Sequence, residues 1–278
     1  MKHGRILFLL GTIILVFSLM PVNHLYAGQD ENIKQWIKQL SDGRERAEAK
    51  GRLIKAKGVA TAELLNTLEG EHLKLSMQID IIQIFEKNKT QEAIPYLKTI
   101  VNDPRPRMRL ASLRALGAMA DMDKELSNIF KIAAKDPTPG IRLTAISALL
   151  DLEDRSALGI FTEALLDERA NIRLKAIEAM MLYKDKSTIP VLIKTLDDKN
   201  IAVAQGAMEA LANFKDKQVV EALIGKLDST QREIKVKAVE ALAIIGDKSA
   251  IAQLKSLQDD EYIKVRHAAD KAIKSISG

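Results

Sequence analysis

Apolar positions in this chain come in blocks with helical spacing. Within DPTPGIRLTAISALLDLED, residues 136–154, Ile141, Ala145, Ile146, Ala148 and Leu149 fall on one side of a helix turning every ~3.6 residues. Shorter apolar blocks are interleaved with the longer ones: SALGIFTEALL (156–166), STIPVLIKTL (187–196), QVVEALIGKL (218–227) and SAIAQLKSLQ (249–258). The pattern predicts an all-α chain of helical hairpins, each a short helix followed by a longer one.

The longer block belongs to a nineteen-residue frame that recurs. It reads DPRPRMRLASLRALGAMAD at 103–121, DERANIRLKAIEAMMLYKD at 167–185 and DKNIAVAQGAMEALANFKD at 198–216. It reads STQREIKVKAVEALAIIGD at 229–247 and ends as DEYIKVRHAADKAIKSISG at 260–278. The tenth position falls at Ser112, Ala145, Ala176, Ala207, Ala238 and Ala269, in steps of 33, 31, 31, 31 and 31. A fixed period of this size marks a solenoid, in which each hairpin buries its apolar face on its neighbours. Ala115, Ala148, Ala179, Ala210, Ala241 and Ala272 keep a second position small, so that stacked helices can approach closely.

Upstream, NIKQWIKQL with GRERAEAKGRLIKAK, and VATAELLNTL with LKLSMQIDIIQIFEK, read as two degenerate hairpins of the kind that cap an array. The expected total is eight hairpins and sixteen helices. Residues 28–102 are thus atypical repeats and a cap, and 103–278 are regular repeats continuous with them in one solenoid.

Charged positions recur with the same period. Asp103–Pro104 and Asp136–Pro137 read as an N-cap followed by proline in the first turn. The closing Asp121, Asp154, Asp185, Asp216 and Asp247 are placed to cap the short helices. Arg109, Arg142, Arg173, Lys235 and Arg266 share one position, with Ala204 the exception. A charge repeated this often points to a structural ladder, paired with Asp103, Asp136, Asp167, Asp198 and Asp260 or with carbonyls of adjacent turns. Catalytic residues usually occur once.

The first 27 residues are of another kind: a basic MKHGR, the uncharged ILFLLGTIILVFSLM, and PVNHLYA ending on Ala27. This is the layout of a secretory signal peptide, with an apolar run short of the ~20 residues that span a bilayer. An uncleaved anchor is the alternative, because the large Leu25 occupies the upstream cleavage position. Without Lys2 and Arg5 the mature chain carries 40 basic and 37 acidic residues, interspersed rather than segregated. That mixture speaks against nucleic acid as a partner. With no cysteine, an exported chain has no disulfides and no thiolate chemistry, and stability rests on packing.

The frame D-P-x-x-x-(I/V)-R-x-x-A-x-x-A-L resembles the HEAT repeat, and its short period is most similar to the HEAT-like repeats of phycobilisome lyases. The resemblance implies an α–α superhelix, second helices lining its concave side, and a scaffold or adaptor that holds partner proteins. The enzymatic relative deoxyhypusine hydroxylase uses repeated His-Glu dipeptides as metal ligands. This sequence has none: its histidines after the leader are His72, in Glu-His-Leu, and His267. No phosphate-cradling glycine motif or nucleophile elbow occurs, so no catalytic, cofactor or metal residue is assigned.

One surface row is a binding candidate. Two positions after the tenth stand Arg114, Ser147, Glu178, Glu209, Glu240 and Lys271, with Lys175 and Lys237 three residues before two of the glutamates. On a concave face Glu178, Glu209 and Glu240 form an acidic row, either a solvated stripe with i,i+3 pairs or a groove for basic or mixed-charge segments. The expectation is an exported, periplasmic, non-enzymatic scaffold without cofactors, touching a membrane only through a retained leader. A lyase-type HEAT-like enzyme acting on a protein-bound cofactor is the alternative.

Overall fold

A computed structural model describes residues 23–70 and 73–278. Among them lie sixteen α-helices. The first eight are α1 (Asn23–Gln39), α2 (Arg46–Ala56), α3 (Thr61–Glu69), α4 (Leu75–Asn88), α5 (Ile94–Ile100), α6 (Pro106–Ala118), α7 (Leu126–Ala133) and α8 (Pro139–Asp151). The others are α9 (Leu158–Ala164), α10 (Ala170–Tyr183), α11 (Ile189–Thr195), α12 (Ile201–Leu211), α13 (Lys217–Ile224), α14 (Arg232–Ile245), α15 (Ile251–Ser256) and α16 (Ile263–Ser277). Residues 1–22 of the expected leader and His72 lie outside the described residues, and α1 runs through the expected junction after Ala27.

The chain divides into two compact units, one ending at Met122 and the other beginning at Asp123. The division falls in the connection that carries the two extra residues of the 33-residue step. Unit 1 contains the hairpins α1–α2, α3–α4 and α5–α6; unit 2 contains the hairpins from α7–α8 to α15–α16.

In unit 2 each even-numbered helix packs on the next, α8 on α10, α10 on α12, α12 on α14 and α14 on α16, and each also packs on its own odd-numbered partner. The odd-numbered helices touch one another far less. The longer second helices therefore form the continuously packed, inner layer of this unit. Ala145, Ala176, Ala207, Ala238 and Ala269 are fully buried in that layer, and the alanines three positions on are buried beside them. Phe130, Phe161, Leu192, Leu223 and Leu254 fill the space between the two layers. A methyl at the tight position and a large group opposite it give dense packing without strained rotamers.

Unit 1 follows the same plan with α2, α4 and α6 as its inner layer. Ser112 replaces the tight alanine in α6, fully buried, and its Oγ donates to the Leu97 carbonyl at 2.6 Å. The hydroxyl is tolerated because that bond satisfies it.

The turns differ from the N-cap reading of Asp-Pro. Helices α6 and α8 begin at Pro106 and Pro139, and the residues before them, Arg105 and Thr138, hold the N-cap position. Asp103 and Asp136 lie two residues earlier and accept the Arg105 and Thr138 N–H at 2.8 and 2.7 Å. Asp167, Asp198 and Asp260 accept from Arg169, Asn200 and Tyr262 in the same way. These carboxylates therefore order the turn that leads into each helix. The closing aspartates do cap: Asp154, Asp185, Asp216 and Asp247 accept from Ser156, Ser187, Gln218 and Ser249. Asp121 is the exception. In the lengthened connection Asp123 takes this role, accepting the Glu125 N–H at 2.9 Å.

Candidate functional site

The recurrent arginines are engaged in the framework of the turns. Arg142 gives Nη1 to the Asp136 carbonyl of its own hairpin at 3.0 Å, and Nε and Nη2 to the Asp167 carboxylate of the next at 2.7 and 3.1 Å. Arg173 repeats this with the Asp167 carbonyl at 2.8 Å and Asp198 at 2.7 and 2.6 Å, and is only 4% exposed. Lys235 reaches Asp260 at 2.6 Å with a single contact. Arg266 and Arg109 bind their own turn carbonyls, Asp260 and Asp103, at 2.7 and 3.0 Å. A guanidinium supplies the planar fork for such double duty; an ammonium supplies one point charge.

Each pair spans 25 residues, and the exception follows the same rule. Ala204 lacks the cation, and the residue 25 positions on is Ser229, which lacks the carboxylate. Burial disfavours charge on Asp167 and Asp198, but the guanidinium bonds and the turn N–H outweigh it and hold both carboxyls below their usual range. Burial opposes ionisation of Asp154 too. Donors from Ser127, Ser156 and Lys131 overcome that cost and place its pKa far below the usual value.

The inner layer of unit 2 carries the glutamate row. Glu178, Glu209 and Glu240 each expose about half of their side chains, on α10, α12 and α14. Lys175 binds Glu178 at 2.5 Å. Lys237 crosses to Glu209 on the neighbouring helix at 3.0 Å and stands 3.9 Å from its own Glu240. The row is therefore neutralised in part by its lysines, and it is a mixed-charge surface rather than an acidic one. Arg114 belongs to α6 in unit 1.

Between Lys175 and Lys237 the corresponding residue is Gly206 on α12, where a Cβ would meet Ile177 and Leu174 of α10. A groove of about 500 Å³ runs between α12 and α14, with Ala202, Gly206 and Val236 on its floor and Glu209, Lys237 and Lys264 at its sides. Gln205 Nε2 donates to the Glu233 carbonyl at 3.3 Å across it. The row was legible as a period; the groove was not, because it depends on the packing of α12 against α14 and on a cross-helix bridge between residues 28 apart. Such a surface offers paired charges and an apolar floor for non-covalent recognition. No cluster of three or more metal-ligating side chains occurs among the described residues, and no described helix is long and apolar enough to cross a membrane.

Family comparison matches HEAT repeats over residues 61–149, 126–203 and 189–274. The chain belongs to the HEAT-repeat family. No curated protein matches its sequence. Among solved structures this HEAT-repeat chain is similar to YibA of Escherichia coli, with a TM-score of 0.63 and 17% identity over 91% of this chain and 97% of that one. It is similar to importin beta, with a TM-score of 0.64 and 14% identity over 88% of this chain and 40% of that one. An engineered protein matches with a TM-score of 0.54 and 18% identity over 87% and 78% of the two chains. At these identities the likeness is one of fold, the all-α α–α superhelix class. The family match is to HEAT repeats as such, without separating the phycobilisome-lyase type.

Proposed function

We propose that this HEAT-repeat chain is an exported, non-enzymatic scaffold that holds a partner protein along the inner layer of unit 2. The observation that carries the reading is the groove over Gly206, walled by Lys237 bridging Glu209 and Glu240. Charges held in alternating sign on stacked helices select a partner segment of complementary mixed charge and reject uniformly charged ones. The buried alanine stack beneath keeps the helices that carry those charges in register, which limits the ordering cost of binding. Nucleic acid does not fit a surface on which acids and bases balance. A signal sequence over residues 1–27 delivers the chain to the periplasm, where a chain without cysteines folds irrespective of redox state.

The test is crosslinking in the intact cell envelope, comparing the native chain with a Glu178→Lys/Glu209→Lys/Glu240→Lys variant of unchanged helicity. Loss of the same partner bands in the variant supports the groove, and full retention refutes it. Intact-mass measurement of the purified chain shows cleavage after Ala27 if it is exported as a soluble protein. A chromophore or metal retained through purification would replace the scaffold reading with the lyase-type one.

A further inference from the structure

Unit 1 has an inner surface of different chemistry. Two hollows of about 410 and 200 Å³ share Ile79, Gln83 and Arg107 and so run together across α4 and α6. At the inner end, Asp80 is 4% exposed and is held by both Arg46 and Lys50 of α2. Lys50 also donates to the Gln83 Oε1. Arg107 lines both hollows and Arg114 the smaller one, and both are exposed.

The arginines on this stretch divide into two kinds. Arg105 grips Asp103 and Gln78, and Arg109 binds the turn carbonyls of Asp103 and Pro104. Arg107 and Arg114 form no ion pair among the described residues. They lie seven positions apart on α6, about 10 Å along its axis, and Leu110 and Ala111 line the hollow between them. Three arginines and Lys50 face two carboxylates, Asp80 and Glu86, and Asp80 is already consumed by its two cations. The hollow is therefore net positive at both ends, and Arg107 and Arg114, without an ion-pair partner among the described residues, are the cations open to a ligand.

We infer that this hollow docks an acidic, partly apolar segment of a partner protein, with Arg107 and Arg114 each taking one carboxylate. Arginine at the edge of an apolar floor is among the side chains enriched at interface hot spots, because its fork binds a carboxylate at two points while its stem covers apolar surface. In a segment of polyproline-II form, with about three residues per turn and a rise of ~3.1 Å, a ~10 Å separation corresponds to carboxylates about three residues apart on one side, with an aliphatic residue between them near Leu110 and Ile79. The segment thus has the form acid, two residues including an aliphatic one, acid. This site is separate in chemistry from the groove of unit 2, and its existence does not depend on that groove.

The test uses the full chain and a fluorescein-labelled peptide carrying Glu-Leu-Leu-Glu, read by anisotropy. Binding is expected to weaken with added salt. It should fall at least tenfold for Arg107→Gln/Arg114→Gln and for the peptide carrying Gln-Leu-Leu-Gln. The Glu178→Lys/Glu209→Lys/Glu240→Lys variant should bind the peptide as the native chain does, which separates this site from that of unit 2. Circular dichroism of the arginine variant should be native, since both side chains are exposed. Equal binding by the arginine variant, equal binding of the glutamine peptide, or no binding at all overturns the inference. So does Arg107- and Arg114-dependent sedimentation with phosphatidylglycerol vesicles in the absence of peptide binding.

Discussion

Arg173 holds Asp198 through two parallel hydrogen bonds, Nε to Oδ2 at 2.7 Å and Nη2 to Oδ1 at 2.6 Å, while its Nη1 stays on the Asp167 carbonyl. One side chain thus ties the turn before α10 to the turn before α12. Removing either partner leaves a nearly buried charge uncompensated, a loss of about 3–5 kcal/mol. Replacing both as Arg173→Ala/Asp198→Ser reproduces the combination at Ala204 and Ser229. It should cost less than the sum of the singles by at least ~1 kcal/mol in urea denaturation. Strict additivity would show that the fork contributes no coupling.

Asp154 sets an acid limit. Its folded-state pKa lies below that of an unfolded aspartate, so its contribution is complete above pH ~4 and is lost as the pH falls through the folded value. Asp154→Asn should therefore be less stable than the native chain at pH 6, with the gap narrowing steadily below pH 4. A gap of constant size from pH 2 to pH 7 would place the effect in geometry rather than ionisation.

The ends of α10 and α14 adopt a left-handed residue at the same repeat position, Lys184 with φ 49° and Gly246 with φ 75°. Glycine takes that conformation without a steric penalty, and lysine does not. Gly246→Ala should lower stability by ~1 kcal/mol, while Lys184→Gly should leave it unchanged or raise it. Thermal melts of the two variants moving in the same downward direction would contradict this account.

Gly206 lies inside α12, where glycine costs up to ~1 kcal/mol relative to alanine. A Cβ there would sit 3.4 Å from Ile177 Cδ1, an ordinary contact. Gly206→Ala is expected to melt at the native temperature or above it, which would mean that the contact between α10 and α12 has room for a methyl group. A loss larger than ~1 kcal/mol would make it a packing residue.

The period carried the fold. Alanines at a 31-residue spacing specify stacked hairpins whatever the intervening loops do, and the buried positions of α8 are Ile141, Ala145, Ile146, Ala148 and Leu149. Turn chemistry was harder to place, because Asp-Pro fits both an N-cap and the turn two residues before one. The choice was made by Pro106 and Pro139, which also suit a first helical turn. The pairing of cations with aspartates 25 residues on was visible as two recurring positions but not as a bond. Asp80 left no signal, since its partners Arg46 and Lys50 belong to degenerate repeats that break the frame.

The blank at Ala204 and Ser229 has a mechanical consequence. The remaining junctions between consecutive inner helices from α8 to α16 carry a turn-to-turn clasp, whereas α12 and α14 are joined by apolar contacts, the bridge from Lys237 and the bond from Gln205 to the Glu233 carbonyl. Under tension, or during spontaneous opening, amide hydrogens on either side of that seam should exchange with solvent ahead of those at the clasped junctions. The same seam forms the floor of the groove, so the surface proposed to hold a partner lies over the one junction between α8 and α16 that has no clasp.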